Sequence, residues 1–300
     1  MPYTVVITSF NSISTIEQVI NKVRDLIPAP SQVLLIDDAS QDGSSVLIKN
    51  LISDLPHFDL RINSKNMGQS YSRNLGVKLS LNEYVVFQDD DDLPLSNRAS
   101  IHLEALDRGA DFSYVSSKKR YPNGYEVVNL NMELLSSPSI NREIIRFLSA
   151  GLNPRDDLKV FSPSSTLAAR KSTLMALGGF SLELRRLEDI ELACRALMNG
   201  FQLSWSNEIG VVRLHTSGGD KSPKANYMGE LEVLRLTKGF FSRKEYFVAR
   251  RMISLRAAYL QKNLPIIFFN MLSLPFILIF SPTKINSIIQ RVQHDIRRNR

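Results

Sequence analysis

The sequence predicts an α/β chain with a mostly parallel central sheet flanked by helices and a C-terminal helical appendage that is both basic and apolar. Three observations predict it. Short apolar runs alternate with helix-like stretches over the first 117 or so residues; the runs are rich in Val, Ile, Phe and Tyr and end in polar turns; and charge is uneven along the chain. With 300 residues and 43% hydrophobic content the chain can bury a sizeable core, as one large domain or one domain with an appendage.

"YTVVIT" (3–8) opens the sheet and is followed by a helix over 14–26, with Ser14 and Glu17 at capping-box spacing. "QVLLID" (32–37), "FDLRIN" (58–63), "EYVVFQ" (83–88) and "DFSYVS" (111–116) read as further strands. Helices are predicted between them over 44–55, 69–80 and 96–108, the last capped by Ser96 just after Pro94. Repeated strand–helix alternation implies parallel strands covered on both faces. There are no internal repeats and no low-complexity linker.

In such sheets ligands bind beyond the carboxyl ends of the strands. The segments found there are Thr8-Ser9-Phe10-Asn11, Asp37-Asp38-Ala39-Ser40-Gln41-Asp42-Gly43, "NSKNMGQSYSRN" and the run Asp89-Asp90-Asp91-Asp92. Two like charges about 4 Å apart repel by roughly 4 kcal/mol near a protein surface, so four clustered carboxylates call for a cation. Mg²⁺ and Mn²⁺ take oxygen ligands, usually one or two carboxylates plus substrate phosphate oxygens. In an extended segment Asp89 and Asp91 would share one face, with Asp90 and Asp92 pointing away. The run reads equally as an acidic first turn that complements a helix dipole. No G-x-G-x-x-G follows the first strand, and "SGGDKS" (217–222) lacks the first glycine of a phosphate-binding loop.

Net charge is +7 overall, yet residues from 241 onward hold eleven Lys/Arg against Glu245 and Asp295, a balance of +9 that leaves −2 for the first 240. A basic tail of this kind suits an anionic surface. The apolar stretch 264–281 is short for a membrane span and contains Pro265, Asn270 and Pro275, so it reads as an interfacial segment on anionic lipid, with a packed core helix as the other reading. No aromatic-interleaved basic platform accompanies the charge, so nucleic acid is not expected as a partner. Cys194 is the single cysteine, read as a buried core thiol of a reducing compartment. The N-terminus shows no secretory signal, and the chain is expected to face the cytoplasm. His57, His102 and His294 read as surface residues.

"TVVITSFNS", "VLLIDDASQDGS", "KNMGQSYSRNLGVKLSLNEYVVFQDDDDLP" and "GGFSLELRRLEDIEL" together resemble, in order and spacing, the bacterial family 2 glycosyltransferases. The resemblance covers about residues 3–215 and implies an inverting, metal-dependent enzyme of the GT-A fold that uses a nucleotide-diphosphate sugar. It divides the chain into a catalytic domain over 1–220, with a nucleotide-binding half (about 1–117) and an acceptor half (about 118–220), and a membrane-associating helical region over 221–300. By the same resemblance Thr8 and Asp38 hold the nucleotide base, Arg73 contacts nucleotide or diphosphate, and Asp89 and Asp90 lie by the nucleotide sugar. Asp91 is then the metal ligand proper, with Asp89 and His215 completing a Mg²⁺ or Mn²⁺ shell. Asp189, beside Glu188, is the catalytic base. Many members carry an apolar residue where this chain has Gln88 and a small one where it has Asp90.

The implied partners are a nucleotide-diphosphate sugar donor, most simply a UDP-sugar, a lipid-linked or growing polysaccharide acceptor, and an anionic membrane surface. The implied setting is O-antigen, capsule or exopolysaccharide assembly at the inner face of the plasma membrane. Rival readings are an inactive sugar- or nucleotide-binding protein on the same scaffold and a sugar nucleotidyltransferase; the latter would need a glycine- and lysine-rich loop that "ITSFNS" does not supply.

Overall fold

A computed structural model describes residues 1–151, 158–214 and 223–261. The strands are β1 (Tyr3–Ser9), β2 (Gln32–Asp37), β3 (Phe58–Ile62), β4 (Tyr84–Asp89), β5 (Asp92–Pro94), β6 (Phe112–Arg120), β7 (Glu126–Asn129), β8 (Leu134–Leu135), β9 (Leu167–Arg170) and β10 (Leu203–Leu214). The helices are α1 (Ile16–Arg24), α2 (Ser44–Leu51), α3 (Gln69–Leu79), α4 (Arg98–Asp107), α5 (Pro138–Ala150), α6 (Lys171–Leu177), α7 (Glu188–Met198), α8 (Pro223–Leu236) and α9 (Arg243–Leu260).

The strands form one sheet in the order β3-β2-β1-β4-β9-β6-β10-β5, with β7 on β6 and β8 on β10. The pairs among β1 to β4 are parallel, whereas β9 runs against both β4 and β6, and β5 against β10. Every residue of β1 is buried, as expected for a parallel strand with both faces covered. Helix α1 buries Ile16, Val19, Ile20 and Val23, the i, i+3, i+4, i+7 stripe of an amphipathic helix, against the core that holds Val5, Ile7, Val33 and Leu35.

Two expected helix starts are corrected. Helix α1 begins after Thr15 with no side-chain cap, so the Ser14–Glu17 box is not formed; the Ser12 carbonyl instead accepts from the amides of Thr15 and Ile16. Helix α4 begins after Asn97, not at Ser96, again without a side-chain cap. His102 is also corrected: it is fully buried on α4. Cys194 is buried on α7, where burial raises its thiol pKa.

The chain divides into two compact units, one of Met1–Asn141 with Lys159–Gly218 and the other of Arg142–Leu158 with Gly219–Arg300. This division groups 142–158, part of the stretch assigned to the acceptor half, with the residues from 219 onward. In the second unit Leu234, Phe241, Ala249 and Ile253 form a small core with Ala150, Tyr227 and Leu231 around it. Ser242 and Glu245 form a reciprocal capping box at the start of α9, and Glu245 also pairs with Arg146.

Helix α3 lies so close to β1 that a Cβ on Gly76 would come within 2.3 Å of Val6 Cγ1. Gly76→Ala is therefore expected to lose about 1–3 kcal/mol to overpacking despite the roughly 1 kcal/mol helical preference of Ala over Gly. Urea unfolding checks this: Val6→Ala should cost less in the Gly76→Ala background than in the wild type, and additive costs would show that the contact is not tight.

Candidate active site

The strand order 3-2-1-4 reverses between β1 and β4, a topological switch point of the kind beside which α/β sheets bind ligands. Thr8 and Asp89 are register partners across it. The Thr8 hydroxyl is buried without a hydrogen-bond partner, an atom that a bound ligand would satisfy.

The loops after β1 and β2 lock together. The amides of Asn11 and Ser12 donate to the hydroxyls of Ser40 and Ser44 at 2.8 and 2.9 Å, and the Gln41 amide donates to Asn11 Oδ1 at 2.9 Å. Asn11 and Ala39 take left-handed backbone (φ 51° and 62°), and so does Leu187 (φ 66°) just before α7. Such backbone costs of order 1–3 kcal/mol per residue and clusters at functional sites. Asp38 is buried, accepting from Asn63 Nδ2 at 2.7 Å and from the amides of Met67 and Gly68 at 2.8 Å. Its carboxylate thus organises the loop that leads into α3.

The four aspartates do not form one extended segment, so the expected alternation of faces does not hold. Strand β4 ends at Asp89, residues 90 and 91 turn, and β5 starts at Asp92. Buried Gln88 closes this turn: its Nε2 donates to the carbonyls of Asp89 at 2.7 Å and Asp92 at 2.6 Å. Asp90 accepts from the Phe10 amide at 2.8 Å, which ties the turn to the loop after β1. Burial pushes Asp90 up to about 7, with the charges of Asp91 and Asp89 adding to the rise. Burial also raises Asp92, against the opposing pull of Arg213 3.4 Å away.

Arg73 is fully buried. Its Nη2 donates to Asp89 Oδ1 and its Nη1 to Glu188 Oε1, each at 2.9 Å, and its guanidinium lies 5.3 Å from the Phe180 ring centroid. Burial alone would lower its pKa, but the Asp89 and Glu188 charges outweigh this and hold it above the ordinary value. Both terminal nitrogens of Arg73 thus donate to carboxylates, and the side chain bridges β4 and α7.

Asn74 reaches the same region, pairing with the Phe180 backbone in both directions at 2.8 and 2.9 Å. A Cβ on Gly179 (φ +74°) would lie 2.3 Å from Asn74 Oδ1, which explains the glycine there. Adjacent residues of "SRN" therefore hold the segment that delivers Glu188 and Asp189. Asp189 is half-buried in the first turn of α7; burial first, then the Glu188 charge, pushes its carboxyl up to about 6. Glu191 is instead bonded through both oxygens to Arg195, at 2.7 and 2.8 Å.

The structure thus groups Thr8, Arg73, the Asp89–Asp92 turn and Glu188 at one edge, with Asp189 next to Glu188 and Asp38 just beyond β2. His215 lies outside the described residues. Sequence reasoning missed Arg98 and Arg213. Only the pairing of β5 with β10, which sets Arg213 opposite Asp92, reveals the second.

Residues 4–174 match the family described as "Glycosyl transferase family 2". An uncharacterized glycosyltransferase of Haemophilus influenzae is 23% identical over 195 residues, 64% of this chain and 61% of that protein. The O-antigen chain rhamnosyltransferase RfbN of Salmonella typhimurium is 24% identical over 222 residues, covering 72% of this chain and 67% of that one. Among solved structures, residues 1–349 of S. aureus TarS in complex with UDP-GlcNAc superpose with a TM-score of 0.60 at 20% identity, over 86% of this chain and 73% of that one. The likeness to TarS shows a shared GT-A fold, and the family match spans more than half of the sequence: the chain belongs to glycosyltransferase family 2.

Proposed function

We propose that the protein is an inverting glycosyltransferase that moves a sugar from a nucleotide-diphosphate donor to a hydroxyl of a lipid-linked or growing polysaccharide acceptor. One observation carries the reading above all: Arg73 joins Asp89 of the acid turn to Glu188, and so sets the acidic start of α7 beside the donor edge. A UDP-sugar is the favoured donor, supported by the UDP-GlcNAc held by TarS on the same fold, and the RfbN likeness favours O-antigen-type assembly.

The carboxylates fit a hard divalent ion such as Mg²⁺ or Mn²⁺. The bonds from Arg73 and Gln69 to Asp89 both fall on Oδ1, and Asp91 and Asp89 both raise the pKa of Asp90, a repulsion that a cation would relieve. Among the described residues no three His, Cys, Asp or Glu are grouped to hold a metal. Asp91 and Asp89 would therefore share the ion with diphosphate oxygens, with His215 a further candidate ligand. When bound, the ion supplies Lewis-acid stabilisation of the departing diphosphate. Asp189 takes the acceptor hydroxyl proton as that oxygen bonds to the anomeric carbon and the bond to diphosphate breaks on the opposite face. Burial first, and then the charge of Glu188, which Arg73 holds in place, keep the Asp189 carboxyl more basic than an ordinary aspartate. Residues 262–300, including the apolar stretch and most of the basic tail, lie outside the described residues; their proposed partner is an anionic inner-membrane surface.

Three outcomes test the reading. Asp91→Asn should abolish transfer and the metal-dependent thermal stabilisation by UDP-sugars, with Asp90→Asn milder; full activity in excess EDTA would exclude the metal role.

Asp189→Asn should retain donor binding while kcat falls by the roughly 10²–10⁴ expected for a lost general base. Wild-type kcat should rise with pH through about 6, as Asp189 loses its proton. Because this carboxyl is raised in the fold, the stability it confers is present at acid pH and lost as pH rises through about 6. Asp189→Asn should therefore melt no lower than the wild type at pH 8; a lower melting point would assign Asp189 a structural role.

The full chain should float with anionic liposomes and be weakened, not released, by high salt. Truncation after Gly239 would remove α9 and its buried Ala249 and Ile253, so the informative truncation follows Gln261. That variant should lose flotation yet keep donor binding; flotation equal to the full chain would reject the tail as the membrane contact.

A further inference from the structure

Behind the acid turn lies a buried polar chain that the proposed chemistry does not use. Arg98 is 1% exposed, and among the described residues no carboxylate lies within ion-pair distance of it. Its guanidinium is spent on fixed acceptors: Nη1 donates to Gln88 Oε1 at 2.7 Å, Nη2 to the Phe87 carbonyl at 2.5 Å and Nε to His102 Nε2 at 3.3 Å. Accepting at Nε2 sets the proton of neutral His102 on Nδ1, which donates to Ser113 Oγ at 3.0 Å. Gln88 is 1% exposed, and its Nε2 bonds the carbonyls at the two ends of the turn. Gly210 leaves room for this arrangement, since a Cβ there would lie 3.2 Å from Arg98 Cγ.

A rigid apolar residue at position 88 would support the strand equally well, but it would take from the Asp89 and Asp92 carbonyls and from an Arg98 N–H the partner that Gln88 supplies in the interior. The placement of a glutamine here, gripped at its oxygen and gripping with its nitrogen, specifies the turn rather than the strand. We propose that Gln88, held by Arg98, is a positioning residue that fixes the backbone of the Asp89–Asp92 turn so that its carboxylates converge on the donor diphosphate and its divalent ion. The inference rests on the donor-site reading above. It assigns Gln88 no contact with substrate; its action passes through the Asp89 and Asp92 carbonyls.

The discriminating variant is Gln88→Glu, which keeps an oxygen for Arg98, and adds a charge for it to pair with, but has no N–H for the two carbonyls. Gln88→Leu removes both, and Arg98→Lys keeps the charge but loses the fork that holds Gln88. Full-length protein is followed by hydrogen–deuterium exchange without ligand and by calorimetric titration with UDP in the presence of Mn²⁺. Amides of residues 90–93 should exchange about tenfold faster in Gln88→Glu while those of β1 and β2 do not change. UDP·Mn²⁺ affinity should fall by about 10–100-fold, the range seen when groups that orient metal ligands are lost. In donor kinetics KM should rise more than kcat falls. Gln88→Leu should show the same pattern where it folds, and Arg98→Lys an intermediate one. Unchanged exchange at the turn in Gln88→Glu overturns the proposal, as does faster exchange with unchanged UDP·Mn²⁺ affinity. A wild-type chain that binds no UDP with Mn²⁺ defeats the donor-site reading itself, and the proposal with it.

Discussion

Four consecutive carboxylates at the end of a buried strand are the constraint on which the surrounding structure depends. Charges of one sign a few ångströms apart cost several kcal/mol in a partly desolvated setting, so the fold must meet them with positive charge or hydrogen bonds. Three arginines from three separate elements do so. Arg73 of α3 bonds Asp89 directly, Arg213 of β10 stands 3.4 Å from Asp92, and Arg98 of α4 acts from behind through Gln88. Burial lowers the Arg98 pKa to about 10, with Asp89 and Asp92 opposing the drop, so it remains charged at neutral pH. A buried guanidinium is costly unless its donors are satisfied, and all three of its nitrogens find acceptors here.

The same cations also assemble the site. Arg73 can satisfy Asp89 and Glu188 together only if α7 begins at the edge where β4 ends. The left-handed Leu187 turns the chain there, and the pairing of Asn74 with Phe180 anchors the approach. Asp90 takes the Phe10 amide, linking the turn to the loop after β1, which is itself locked to the loop after β2. Strained backbone at Asn11, Ala39 and Leu187 is concentrated in these segments. It persists because neighbouring hydrogen bonds over-determine it. The edge is thereby organised by the protein's own hydrogen bonds, the preorganisation that the proposed chemistry would require.

Much of this was legible in the sequence. Alternating apolar runs and helix-like stretches marked β1 to β4, the start of β6 and the helices between them to within about two residues at most of their ends, because burial on both faces leaves an unbroken Val/Ile/Leu signal. The acid run, the "SRN" and the Glu188-Asp189 pair were visible as clusters, and the family's motif order pointed to their shared edge. The helix caps were not. Ser14 and Ser96 carry the right side chains, yet backbone turns at Ser12 and Asn97 start the helices elsewhere.

What the sequence by itself determined was the set of local periodicities and the identity of the charged clusters, since both depend on neighbours along the chain. Only the tertiary structure decided what each charge faces. Arg73 and Glu188 stand 115 positions apart yet share a hydrogen bond, and Arg213 meets Asp92 only because β10 lies antiparallel to β5. His102 read as a surface histidine, and Arg98 drew no notice in the sequence, until α4 packed against the sheet and buried both. The physical reason is that burial and long-range pairing turn a polar residue's solvation cost into a demand for one particular partner, and no local pattern encodes who that partner is.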